Sequence, residues 1–310
     1  MNNVKLARKK SKKRESITLF NFASATIETL KLLGKERTSE TYTATLRSFK
    51  QFRVGEDIKL KHIDSECIQR YESYLKNRGV SLNTISFYMR ILRAIYNKAV
   101  EQDIIKQQYP FKRVYTGIDK TVKRAIEIRQ LKKIKDLDLS HKPNLEAVRD
   151  IFMFSFYTRG MAFVDMAYLR KKNLSNGILS YRRRKTNQQL HIRWEKCMQD
   201  IINKYDTSNT DYLLPIIKNS SLNNRSQYLH RLITFNKSLK VIGKMAGVST
   251  PLTMYVSRHS WASIAKSKNI PTSVISEGMG HDSEKTTQIY LASLDTSIVD
   301  KANKIVLELL

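Results

Sequence analysis

The sequence predicts a mainly α-helical protein of two domains, one helical throughout and one mixed α/β with a small antiparallel sheet. Three observations carry this. The chain has 310 residues, enough for two hydrophobic cores. Apolar residues recur every three to four positions along most of it, the spacing of one helix face. Only one place breaks that rhythm for alternation: Asn176-Gly177 turns into ILSYRRRK, and QLHIRW follows.

Taken in order, residues 1–16 hold seven bases and one acid, and read as a flexible arm suited to phosphate backbone. Residues 17–107 read as four helices. Leu19, Phe22, Ile27, Leu30 and Leu33 form the stripe of the first. Ser39 is the expected cap of the second, which aligns Tyr42, Leu46, Phe49 and Phe52. Asp64 should cap the third, which buries Cys67, Ile68, Tyr71 and Leu75 and stops at Gly79. Asn83 is the expected cap of the fourth, with Ile85, Tyr88, Leu92, Ile95 and Ala99 inward. Proline, glycine and charge break the pattern over 108–125, which reads as a basic linker. The second domain spans 126–310. Its expected elements are a helix capped by Asn144, a helical stretch over 163–169, the two strands joined at KTNQ, and helices over 226–246, 256–268 and 272–279. A last stripe of Ile298, Ala302, Ile305, Val306 and Leu309 marks a tail helix over 297–310 that must dock somewhere.

Charge narrows the function. With 56 Lys+Arg against 28 Asp+Glu, the net charge is +28. Such a chain repels itself unless its working partner is a polyanion, and nucleic acid leads because each phosphate contact releases counterions. No run of eighteen apolar residues offers a membrane span, and the basic N-terminus lacks the apolar stretch of a secretory signal. Cys67 and Cys197 stand far apart, with no Cys-x-x-Cys pair, and the six histidines contain no His-x-x-x-His. Neither a metal site nor a cofactor is expected, and a reducing cytoplasm suits the chain.

Phosphodiester exchange without a metal needs a nucleophile that stores the bond as a phosphoester, fixed cations around the charged transition state, and an acid for the leaving sugar oxygen. Arginine suits the second task, because its planar fork binds two phosphate oxygens and stays charged. Four segments supply these groups in chain order: FSFYTRGMAFVDMAYL at 154–169, RRRKTNQQLHI at 182–192, YVSRHSWASIA at 255–265 and MGHDSEKTTQIYLA at 279–292. Individually each has a plain reading. Tyr290 is one of 15 tyrosines, the Arg182–Lys185 run looks solvated, and Gly280 could simply end a helix.

Together the four segments resemble the catalytic boxes of the tyrosine recombinase (phage integrase) family, most of all the integrases of bacterial conjugative transposons. Gly280-His281, Thr286-Thr287 and then Tyr290, nine residues after the histidine, resemble its nucleophile box. The resemblance implies a SAM-like core-binding domain followed by a catalytic domain of the DNA breaking-rejoining fold. It implies that Tyr290 forms a 3′-phosphotyrosine bond, that Arg258 and His281 hold the scissile phosphate, and that Lys185 protonates the leaving 5′-oxygen. It further implies duplex DNA target sites, a homotetramer on DNA joined through the C-terminal helix, room for an accessory DNA-bending protein, and a place in a bacterial cytoplasm at the nucleoid.

Two departures stand out. Tyr255 occupies the position three before Arg258 where the family has histidine, and His259 is the other candidate to assist. In the first box Ala162 falls where arginine is expected. Arg159 is then the expected first arginine, either reaching from one helical turn back or displaced by a one-residue gap. Asp165 reads as a structural acid that holds an arginine or a backbone N–H. The alternatives in function are a type IB-like DNA topoisomerase and a recombinase-derived DNA-binding protein with impaired catalysis.

Overall fold

The computed structural model describes residues 17–119, 124–218, 222–284, 287–288 and 307–308. The chain divides into two units at residues 121/122.

The first unit contains α1 (Leu19–Leu32), α2 (Glu36–Phe52), α3 (Ser65–Asn77) and α4 (Leu82–Glu101), with a short 3₁₀ turn at Leu60–His62. Aromatic rings fill its centre. Phe49 is fully buried, edge-on to Tyr71 at 4.9 Å between centroids, and Phe52 and Phe20 flank it. The Tyr71 hydroxyl donates to Ser48 Oγ at 2.7 Å, so the ring's polar end is satisfied inside the core. Asp64 caps α3 as expected, accepting from the Cys67 N–H at 2.8 Å. Cys67 itself is only half-buried at the core's edge.

Other caps differ from the sequence reading. Helix α2 begins at Glu36, and Ser39 lies inside it, donating its hydroxyl to the Glu36 carbonyl. Ser81 precedes α4, while Asn83 exchanges hydrogen bonds with the Asp119 backbone. The expected linker is also shorter at its start. Phe111 and Val114 are buried in the first core, the Tyr115 N–H donates to buried Glu72 at 2.8 Å, and the Gly117 carbonyl accepts from Ser86. Local composition marked 108–119 as irregular, correctly, but irregular backbone can still be docked by side chains 30 or more residues away.

The second unit is arranged around α6 (Pro143–Tyr157), whose residues Val148 through Ser155 are all buried. A helix apolar on nearly every side needs neighbours all round. These are α5 (Ile128–Lys135), α8 (Lys196–Ile202), α9 (Asn224–Met245) and α10 (Met254–Ser267). Apolar periodicity does not mark α5 or α8, each about two turns long. The expected cap at Asn144 falls inside α6, which starts at Pro143. The short α7 (Phe163–Ala167) leads to a three-stranded antiparallel sheet, β1 (Leu174–Ser175), β2 (Ile178–Arg182) and β3 (Gln189–Arg193). Leu179 pairs with Ile192 and Tyr181 with Leu190, which turns all four side chains to the core. Last among the described helices is α11 (Thr272–Met279), closed by Gly280 in the left-handed conformation at φ 63°.

Candidate active site

Three chain segments far apart in sequence meet at Arg258. It sits in the middle of α10 with only 3% of its surface exposed. Its guanidinium donates to the Gly160 carbonyl at 2.7 Å, to the Met279 carbonyl at 2.6 Å and to His281 Nε2 at 3.1 Å. An arginine can only donate, so Nε2 of His281 accepts and its ring is neutral, with Nδ1–H facing Thr287 Oγ1 at 2.6 Å. Thr287 is fully buried. Burial, then Arg258, Arg183 and Lys185, all disfavour a charged imidazole, and the His281 pKa is pushed down to about 4.

The segment that carries Arg159 is a turn. Helix α6 ends at Tyr157, and Arg159 and Gly160 both take left-handed backbone, at φ 61° and 73°. The Gly160 N–H closes the helix on the Ser155 carbonyl at 2.7 Å. A Cβ at Gly160 would lie 2.7 Å from Arg258 Cα, so glycine permits the turn to seat directly on α10. This corrects the expectation that Arg159 and Ala162 share a helix face. Ala162 is the N-cap of α7, and no helix joins the two. Arg159 nonetheless belongs to the cluster. Its side chain runs beside Gly278, and its charge acts on buried Tyr181 together with those of Arg258 and Arg183.

The β2–β3 turn brings the other cations. Lys185 is exposed at its tip, near enough to His281 for its charge to lower that pKa. Arg183, which the sequence suggested was part of a solvated run, is 6% exposed and donates to the Gly280 carbonyl. A period-two signal was available: Leu179, Tyr181 and Arg183 continue one inward face. Asp165 behaves as expected of a structural acid, accepting from the Arg184 N–H at 2.9 Å with Arg183 Nε at 3.9 Å. Burial raises its pKa against the opposing effects of that N–H, Arg183, Arg258 and Arg184.

Tyr255 is 54% exposed on α10. Its ring meets that of His259 edge to face at 4.6 Å, because residues four apart share a helix face. Tyr290 and Thr286 lie outside the described residues, as do the 1–16 arm and all of 297–310 except Leu307 and Glu308. Among the described residues no group of three His, Cys, Asp or Glu side chains could hold a metal ion, and no helix is long and apolar enough to cross a membrane.

Known proteins bear on this arrangement. Residues 18–114 match the phage integrase SAM-like domain, and residues 125–297 match the phage integrase family. The chain is 22% identical over 262 residues to tyrosine recombinase XerC of Leptospira interrogans, covering 83% of each protein. It is 23% identical over 225 residues to tyrosine recombinase XerA of Pyrococcus furiosus, covering 71% of this chain and 73% of the other. Its fold is similar to lambda integrase in a dimer bound to a COC′ core site, with a TM-score of 0.67 at 15% identity over 91% of this chain and 79% of that one. It is also similar to the Tn1549 transposon integrase in complex with transposon right end DNA, with a TM-score of 0.65 at 14% identity over 93% and 98% of the two chains. With one family model spanning more than half of its length, the chain belongs to the phage integrase family of tyrosine recombinases, enzymes that break and rejoin DNA.

Proposed function

We propose that this protein is a site-specific recombinase that cleaves and rejoins duplex DNA through a 3′-phosphotyrosine at Tyr290, for integration, excision or inversion of a mobile DNA segment. The observation that carries the reading is the buried guanidinium of Arg258, which ties the Gly160 and Met279 carbonyls and Nε2 of His281 to one point. Fixed cations gathered at one point stabilise the negative charge of a phosphate in its transition state.

In this mechanism the scissile phosphate takes hydrogen bonds from Arg258, with Arg159 contributing from the α6–α7 turn. Tyr290 attacks phosphorus, the bond to the 5′-oxygen breaks, and Lys185 supplies the proton that oxygen needs. His281 turns Nε2 toward the phosphate, whose negative charge offsets the cations that keep the ring neutral. Tyr255 and His259, whose rings are in contact on one helix, assist at the nucleophile, His259 accepting the phenolic proton of Tyr290. Rejoining reverses these steps and conserves the bond energy, so no ATP is consumed.

The helical domain of residues 17–107, with 108–119 docked on it, grips the duplex, and 126–310 carries the chemistry. The basic 1–16 arm adds phosphate contacts. Four protomers exchange strands, joined through the 297–310 helix, with an accessory DNA-bending protein where the site demands it. The work takes place in a bacterial cytoplasm at the nucleoid.

A nicked suicide substrate built from the ends of the element that carries the gene tests the central claim. Cleavage releases a short fragment, and a covalent protein–DNA adduct accumulates on denaturing gels. Tyr290→Phe is expected to abolish the adduct while retarding the same DNA in native gels. An adduct that survives this substitution overturns the assignment of the nucleophile.

A further inference from the structure

Arg183 is a charged side chain that the mechanism above does not use. It is 6% exposed, and its guanidinium is turned to the protein backbone. Its position is specific. The guanidinium donates to the carbonyl of Gly280, the residue before His281. Two residues further along its own turn is Lys185, and the Thr186 hydroxyl reaches the same Gly280 carbonyl at 3.4 Å. Gly280 is shaped for this approach, since a Cβ there would lie 2.7 Å from Arg183 Cδ. From the other side, Asp165 holds the turn through the Arg184 N–H at 2.9 Å and faces Arg183 Nε at 3.9 Å. Arg183 also closes the turn through its backbone, accepting from the Asn187 N–H and donating to the Gln188 carbonyl.

We infer that Arg183 is a positioning residue that clamps the β2–β3 turn to the end of α11, and so fixes Lys185 against the phosphate held by Arg258 and His281. The inference rests on the reading of Lys185 as the proton donor. Without the clamp the turn keeps its hairpin hydrogen bonds but only the long Thr186 contact to Gly280, and Lys185 loses its register with the leaving oxygen. The leaving step explains why this matters. The bond from phosphorus to the 5′-oxygen breaks, its electron pair stays on that oxygen, and a proton from the Lys185 ammonium neutralises it. A 5′-sulfur in the same position departs as a stable thiolate and needs no proton.

The test therefore compares cleavage of an ordinary nicked substrate with one carrying a 5′-bridging phosphorothiolate, for the wild type, Lys185→Ala, Arg183→Gln and the milder Arg183→Lys. Misplacement of a catalytic group by about 1 Å costs on the order of 10²-fold, so Arg183→Gln should slow cleavage of the oxygen substrate by roughly that factor. The sulfur substrate should restore both Lys185→Ala and Arg183→Gln to within a few-fold of the wild type. Should Arg183→Gln fail to fold, Arg183→Lys decides by the same criterion, because it keeps the cation and loses the fork. If Lys185→Ala is restored by sulfur and the Arg183 variants are not, Arg183 supports the site as a whole and the clamp is wrong. Normal cleavage of the oxygen substrate by both Arg183 variants also overturns it. If Lys185→Ala is itself unaffected or not restored, the assignment of Lys185 as the acid fails, and the inference with it.

Discussion

Two buried arginines of the second unit, Arg149 and Arg258, are almost equally hidden and differently employed. Arg149 donates to Asp150 at 2.9 Å and to Glu146 at 3.0 Å, and Lys204 and Tyr205 complete the same network through Asp150. Its charge is cancelled within hydrogen-bond distance. Arg258 donates to two carbonyls and an imidazole, and Arg183, Lys185 and Asp165 stand in the same neighbourhood. The first unit holds to a third pattern, with an aromatic core and, among its described residues, one buried charge, Glu72, beside Lys76 at 3.3 Å. Burial of charge therefore does not identify a site by itself. Burial of a charge beside further cations from separate chain segments does mark a candidate, because such a cluster favours an incoming anion.

The comparison can be broken experimentally. The largest effect is expected from Arg258→Ala, which should lower cleavage by at least about 10²- to 10³-fold, the usual cost of one oxyanion-stabilising donor. Arg149→Ala should instead destabilise the fold by about 3–5 kcal/mol, since it leaves buried Asp150 short of a partner, and leave cleavage per folded molecule near wild type. Thermal melts and single-turnover cleavage on the same preparations separate the two. Equal loss of cleavage per folded molecule would erase the distinction between the two arginines.

A smaller effect follows from His281. Its folded pKa of about 4 lies below the ordinary 6.5. The unfolded chain then binds more protons between those values, so stability rises with pH across that window and is lost as pH falls through it. Melting temperature followed from pH 7 to pH 4 should fall more steeply for the wild type than for His281→Asn. Identical slopes would mean that His281 is not held neutral.

The smallest effect belongs to the first unit. Asp64→Ala removes the cap of α3 and should cost about 1 kcal/mol of stability. Cleavage at a temperature where the variant stays folded should be unchanged, and a large catalytic loss there would tie this cap to the chemistry.

Much of this could be read from local sequence. Helix stripes placed α1 to α4, Asp64 announced its cap, and Asn176-Gly177 announced the hairpin. Ser39 and Asn83 misled because their side chains satisfy backbone groups inside a helix or in a distant loop as readily as at a helix start. The site was legible as an ordered set of residue types. Arg159, Lys185, Arg258, Tyr255 and His281 stood out by type and spacing, and the structure brings Arg159, Lys185, Arg258 and His281 into one cluster.

The amino-acid sequence by itself determined the helical character, the strong positive charge, the order of the chemical groups and the nine-residue interval from His281 to Tyr290. These are local or additive properties, and periodicity and composition record them directly. Only the tertiary structure decided that Arg183 faces inward, that Arg159 occupies a left-handed turn, and that Arg258 is held by carbonyls 98 and 21 residues away. Those outcomes depend on which backbone groups are brought together when α6, α10 and α11 pack, and no window of sequence contains both partners of such a contact.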